Sequence, residues 1–344
     1  MAQSIGATVA ATKPATPRIN FFRLHSLRVY TGGTGRDDLK NLIFKVLAVL
    51  ALPAFLVACG PEEGEAYSPR FADTPPGGTE PLVFGIHPLH NPHRLFQVYQ
   101  PLIDHLNREL KGARLRLEAS RSYQDFERKL AAQSFAFVLP NPYQTVVARG
   151  AGYHVIGKMA DDENFRGIIL VRRDSAIATP ADLRGKVIAY PAPTALAATM
   201  MPQWFLHHAG LDVRRDLDNR YVGSQESSIM NVYLGESVAA ATWPPPWRAF
   251  QKANPEVAAQ LEVKWQTESL VNNSLMVRDG VPAPVLEQVR AALLTLDKSE
   301  AGRAILARME LSRFEAADDD TYDPVARFIE TFEREVRPVK ETQP

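Results

Sequence analysis

From residue 81 onward the chain switches repeatedly between short β-rich runs and amphipathic helical runs. That alternation restricts the fold more than any other feature, because it is the pattern of sheets layered with helices and mainly parallel strands, an α/β fold. PLVFGI (81–86) predicts a strand and residues 93–110 a helix; RLRLEAS (114–120) predicts a second strand, SYQDFERKLAAQ a second helix and FAFVLP (135–140) a third strand. Tyr123, Phe126 and Leu130 stand at i, i+3 and i+7, one face of that second helix. A new block opens with the strand GIILVRRD (167–174), after which Thr179 and Pro180 are set as helix cap and first helical residue. It continues with the strand KVIAYP (186–191), a long helix over 194–208 stopped at Gly210, the strand RYVG (220–223), a helix over 227–234 and the strand VAAATW (238–243). Residues 261–279 are extended again. The end of the chain is helical: Val325, Phe328, Ile329, Phe332 and Val336 keep one stripe that must lie against a core. No internal repeat is visible.

The front of the chain follows different rules. Lys40 and Lys45 lead into an apolar run from Val46 to Val57, the charge-then-apolar order of a signal peptide. About a dozen apolar residues are too few to cross a bilayer, which takes roughly 20. The run ends in Leu56-Val57-Ala58-Cys59-Gly60, which resembles a bacterial lipobox, with small residues ahead of a cysteine that receives a lipid. A lone cysteine is otherwise most often a buried small hydrophobe. Here GPEEGEAYSPRFADTPPGGTEP follows it and cannot build a core, so Cys59 is expected to be lipidated, with residues 60–80 a flexible tether. Residues 1–58 are read as leader and signal peptide and set apart from the fold. Signal peptides normally open a chain, so translation is expected to start downstream of Met1, near Leu39 or Leu42; an unusual true leader is the alternative.

Residues 59–344 suffice for two domains of ordinary size. Cys59 is the only cysteine, so no internal disulfide supports the fold. Lys plus Arg number 39 and so do Asp plus Glu, which gives no polycationic reason to expect a nucleic-acid partner. Catalytic motifs of the G-x-S-x-G, H-E-x-x-H and P-loop kinds are missing, so the chain is expected not to be an enzyme and to need no cofactor. His87, His90 and His93 are three apart, but in a Pro-broken loop whose spacing matches no metal motif, and no metal site is expected.

Read in order, several pieces resemble the phosphate/phosphite/phosphonate substrate-binding proteins of ABC importers, which have the two-lobed type II periplasmic-binding fold. They are GIHPLHNPHRLFQVYQPLIDHLNREL, SRSYQDFERKL, LPNPYQTV, GIILVRRDSAIATPADLRGKVIAYPAP, TALAATMMP and VGSQESSIMNVYLGESVAAATW. The block from Ile168 to Lys186 is the most specific of these. The resemblance runs from about Pro81 to Arg337 and implies lobe 1 over 81–166 plus 270–337, lobe 2 over 167–269, and crossing strands between them. It also implies hinge closure on a small anionic or polar solute, an ABC permease with its ATPase as partners, an extracytoplasmic location on a membrane and a monomeric state. A ligand-sensing lipoprotein reporting to a membrane partner such as a histidine kinase shares the same fold and stays open as an alternative.

The resemblance also implies site residues. In the family an oxyanion sits at a helix start with a hydroxyl-rich turn; here that segment is Thr194, Ala195, Leu196, Ala197 and Ala198, so backbone donors remain and only Thr194 keeps a hydroxyl. Thr194 is equally a plain helix cap. Gln225 stands where the family has a histidine, and is equally a helix start. Trp243 and Trp247 supply an apolar wall or ordinary hinge packing, and Asn272 and Asn273 stand where aminophosphonate binders carry acids. Tyr123 and Tyr143 match cleft tyrosines, and Phe165 and Arg166 lie beside them. Arg166 is expected to share an anionic group with the Thr194 helix end, or to serve at the surface.

Overall fold

The structure is a computed structural model that describes residues 80–339. The signal segment, Cys59 and the tether up to residue 79 lie outside the described residues.

The chain opens with β1 (Leu82–Ile86), α1 (Pro92–Glu109), β2 (Leu115–Ala119), α2 (Tyr123–Ala131), β3 (Phe137–Leu139), α3 (Pro142–Arg149) and β4 (Tyr153–Met159). It then crosses to β5 (Arg166–Arg172) and β6 (Lys186–Tyr190). A π-helical turn (Leu196–Met200) runs into α4 (Met201–His208), followed by β7 (Leu217–Tyr221), α5 (Gln225–Tyr233), β8 (Ala239–Thr242), α6 (Pro244–Ala253), α7 (Pro255–Ala258) and β9 (Leu261–Ser269). It returns through β10 (Ser274–Arg278), α8 (Ala283–Leu294), α9 (Glu300–Arg308), β11 (Phe314–Glu315) and α10 (Asp323–Glu335).

Local chemistry accounts for the helix starts. Asn91 accepts from the Arg94 amide at 3.0 Å with Pro92 in the first turn of α1. Ser122 accepts from Asp125 N at 3.1 Å, and α2 then buries Tyr123, Phe126 and Leu130, the face expected from their spacing. Asn141 and Gln144 form a reciprocal capping box on α3. The three prolines of TWPPPW fill the first turn of α6, where amide donors have no intrahelical acceptor and proline loses nothing by lacking one. Residues 180–183 form only a 3₁₀ turn, with Thr179 and Asp182 as its capping box.

The first sheet has the order β11-β4-β10-β3-β1-β2 and the second β7-β6-β8-β5-β9. β1 is parallel to β2 and β3, and β6 to β7 and β8, as alternating strands and helices require. β10 is antiparallel to β3 and β4, and β5 to β8 and β9, so the sheets are mixed rather than mainly parallel. The cause is the crossing: the chain leaves the first sheet through residues 160–165, comes back through 270–273, and each passage inserts a strand against the local direction. The two passages run side by side, with Leu270 N donating to Phe165 O at 3.0 Å and Met159 N to Asn273 O at 2.8 Å. Val325, Ile329 and Phe332 of α10 are buried, and Phe328 meets the Trp204 ring edge-on at 5.6 Å, so the last helix sits on its core as its stripe predicts. No helix among the described residues is long and apolar enough to cross a membrane.

Candidate functional site

Where strands of both sheets end, largely buried residues line a small, partly open cavity. Its floor is the start of the helix over 196–208. Ala195 is extended (φ −76°, ψ 98°), and the first backbone bonds of the helix are those of Thr199 N and Met200 N, both to Ala195 O, at 2.8 and 3.3 Å. The amides of Leu196, Ala197 and Ala198 precede any intrahelical acceptor, and the positive end of the helix dipole adds to them. The methyl side chains of Ala197 and Ala198 and the buried side chain of Leu196 leave the backbone close to the cavity. Gly167 of β5 lies behind: a Cβ there would be 2.6 Å from Pro202 and 2.7 Å from the Ala197 carbonyl. Only glycine lets the strand press this near to the helix start.

The remaining lining is polar and carries no Asp, Glu, Lys or Arg: His87, Tyr123, Asn141, Gln225 and Asn273, with Phe165 and Trp243 as an apolar wall whose rings meet edge-on at 5.4 Å. His87 donates from Nδ1 to Leu139 O at 3.1 Å. Asn141 Nδ2 donates to Thr194 O at 3.1 Å, joining α3 to the segment before the helix start. Gln225 accepts from the Thr242 hydroxyl at 2.8 Å and reaches Tyr123 at 3.5 Å. Asn273 is 1% exposed, and its Oδ1 has no hydrogen-bond partner among the described residues. Burial lowers the His87 pKa to about 4 and, with Arg94 and His87 nearby, that of His90 to about 3; both rings are neutral at pH 7. Burial raises the Tyr123 phenol above its ordinary value. The free space is about 10 Å³, on the order of one water. Such a site, with neutral donors around a helix start, suits a small oxyanion.

The structure brings Tyr123, Ala195, Leu196, Gln225, Trp243 and Asn273 to this cavity, with Phe165. Thr194 and Tyr143 line a neighbouring larger hollow of about 540 Å³, together with Glu127 and Tyr221. There the Thr194 hydroxyl donates to Glu127 Oε1 at 2.6 Å. Arg166 begins β5 opposite Ser269 and lines neither space; its Nε is buried with no hydrogen-bond partner among the described residues. Trp247 stacks on Phe250 at 6.1 Å within a separate apolar cluster, and Asn272 ties the return passage to Ala160 O at 2.7 Å. His87 and Asn141 line the cavity without having been singled out as ligand contacts in the sequence. The signal for both is position: His87 directly follows β1 and Asn141 closely follows β3, and ligands of open α/β sheets sit outside the carboxyl ends of strands. Among the described residues no group of three or more His, Cys, Asp or Glu could hold a metal ion.

The family model described as "ABC transporter, phosphonate, periplasmic substrate-binding protein" matches residues 84–322. A binding protein component of an ABC phosphonate transporter from Pseudomonas aeruginosa is similar in structure, with a TM-score of 0.69 at 15% identity over 74% of this chain and 88% of that one. PhnD1 from Prochlorococcus marinus in complex with methylphosphonate gives a TM-score of 0.67 at 19% identity over 74% and 98%. XAC2383 from Xanthomonas citri bound to ATP gives 0.60 at 18% over 75% and 100%. No curated protein matches the chain in sequence.

Proposed function

Because this chain belongs to the periplasmic substrate-binding proteins of phosphonate ABC transporters, a family of solute binders rather than enzymes, we propose that it captures a small tetrahedral oxyanion such as phosphonate, phosphite or phosphate. The observation that carries this reading is the trio of amides of Leu196, Ala197 and Ala198 at the floor of a neutral, polar, buried cavity. Oriented neutral dipoles balance a buried anion without placing a full counter-charge beside it. Tyr123, Gln225 and Asn273 surround the ligand and Trp243 forms the wall. Thr194 and Tyr143 act from the adjoining hollow, and Arg166 acts outside the first ring of contacts.

In this reading residues 81–166 with 270–337 make one lobe and 167–269 the other, and the passages at 160–165 and 270–273 are the hinge. The cavity as it stands has room for about one water, so a ligand of the size of methylphosphonate needs the lobes or the lining side chains to move apart to enter and be held. The loaded protein then docks as a monomer on the permease with its ATPase. Cys59 carries the lipid that keeps the receptor on the membrane, and residues 60–80 give it reach.

A thermal-shift series with methylphosphonate, phosphite, phosphate, methanesulfonate and acetate tests the proposal. A ligand at 100 times its Kd adds about 2.7 kcal/mol, which raises Tm by roughly 5–10 °C for a protein of this size. If none of the phosphorus oxyanions moves the transition, the proposal fails.

A further inference from the structure

The cavity holds more than donors. Asn273 lines it, and its Oδ1 is a buried acceptor with no partner among the described residues, although its amide nitrogen does have a contact, with Met159 Sδ at 3.8 Å. His87 has given its Nδ1 hydrogen to Leu139 O, so the neutral ring presents only the lone pair of Nε2, which has no partner among the described residues. A buried acceptor facing an oxygen of a fully ionised anion would be left unpaired and repelled, a costly arrangement in a space of this size.

We infer that the cavity selects the protonated monoanion of a phosphorus oxyanion, its P–OH donating to Asn273 Oδ1 with His87 Nε2 as the second acceptor, while its other oxygens take the Leu196–Ala198 amides. This rests on the oxyanion reading above and narrows it. A sulfonate has the same shape and charge but carries no proton near neutral pH, so it cannot supply the donor these two acceptors require. A monoanion asks for less compensation than a dianion, in keeping with a lining that has no Lys or Arg among the described residues. It separates the roles of the lining, with the helix start and Gln225 Nε2 giving hydrogen bonds and the β1 and β10 ends receiving one.

The titratable groups around the site leave the ligand as the proton carrier that an assay reads. His87 and His90 are neutral well above their lowered pKa values, and the Tyr123 phenol stays protonated. The nearest carboxylate on α2, Glu127, lies in the neighbouring hollow, and Arg94 on α1 acts on His90.

The experiment is a titration of the intact protein with methylphosphonate and with methanesulfonate from pH 6 to 9, followed by tryptophan fluorescence and calorimetry. The expected result is at least about a tenfold preference for methylphosphonate at pH 6, since one charge-assisted hydrogen bond separates the ligands. Above the second ionisation of methylphosphonate its apparent Kd should rise toward tenfold per pH unit, while any sulfonate binding stays flat. Asn273→Leu, which removes the acceptor at similar volume, should shrink the preference toward unity, and His87→Phe should shrink it in part. Equal affinity for both ligands, or no pH dependence for methylphosphonate in the wild-type protein, overturns the inference and leaves the oxyanion reading standing. Binding of neither ligand overturns both.

Discussion

Replacing Gly167 by alanine puts a methyl carbon 2.6 Å from the Pro202 ring and 2.7 Å from the Ala197 carbonyl oxygen. Ordinary carbon contacts lie at about 3.5–4.0 Å, so the helix start must retreat by about 1 Å or the strand must bend. Overpacking of this kind costs roughly 1–3 kcal/mol, and at roughly 2–4 °C per kcal/mol Tm should fall by roughly 2–12 °C. The same retreat carries the Leu196, Ala197 and Ala198 amides away from the cavity. A displacement of about 1 Å removes most of one hydrogen bond to an anion, about 1.5–3 kcal/mol, so Kd for methylphosphonate should rise by about tenfold or more. Scanning calorimetry and isothermal titration read the two effects separately. Pro202→Ala removes two of the three clashing atoms, so the double variant should recover part of both losses, as coupled neighbours do. A Gly167→Ala protein with wild-type Tm and wild-type affinity would refute the reasoning that this glycine sets the position of the anion cradle.

Thr194→Val should leave oxyanion affinity within about threefold, because the hydroxyl is engaged by Glu127 at 2.6 Å; a loss above tenfold in calorimetry would return Thr194 to the ligand. Stability should fall as pH drops from 6.5 toward 4. His87 and His90 are held neutral when folded, with pKa values of about 4 and 3, so the unfolded chain takes protons first; stability is complete above 6.5 and is lost below it. The His87 shift corresponds to roughly 3 kcal/mol, and urea melts of His87→Gln should show a shallower decline over that window. Glu226→Ala removes a 2.7 Å bond from Asn91 and an ion pair with Arg94 that join α1 to α5; at a surface this is worth less than about 1 kcal/mol, seen as an off-rate faster by fivefold or less in stopped-flow fluorescence. Cys59→Ala should release the protein from membranes in fractionated cells; unchanged membrane association would show that another segment anchors it.

The periodic parts of the sequence translate directly because each is a local rule. The Tyr123, Phe126 and Leu130 face and the Val325 to Phe332 stripe are buried where their spacing puts them. The α6 helix is harder to see, since three prolines read as a breaker unless they are known to fill a first turn, which depends on β8 ending at Thr242 and Trp243 standing as the extended N-cap just before them. Strand direction is also nonlocal: β5 and β10 resemble the parallel strands in composition, and only the crossing passages make them antiparallel. In the site, Tyr123, Gln225, Trp243 and Asn273 converge although they lie far apart in sequence. Arg166 and Phe165 are adjacent, yet only Phe165, at the end of the crossing passage just before β5, lines the cavity. His87 is one of three histidines in a Pro-broken loop whose spacing points to no site, and its acceptor role emerges only once Leu139 O has fixed its tautomer.

The most direct test of the account is a crystal structure of the protein soaked in or grown with methylphosphonate. A phosphorus atom is expected above the helix start, with its oxygens within hydrogen-bond distance of the Leu196, Ala197 and Ala198 amides and one oxygen on Asn273 Oδ1. Methylphosphonate found instead in the hollow beside Glu127 and Tyr143, or an empty cavity at saturating ligand, would contradict it.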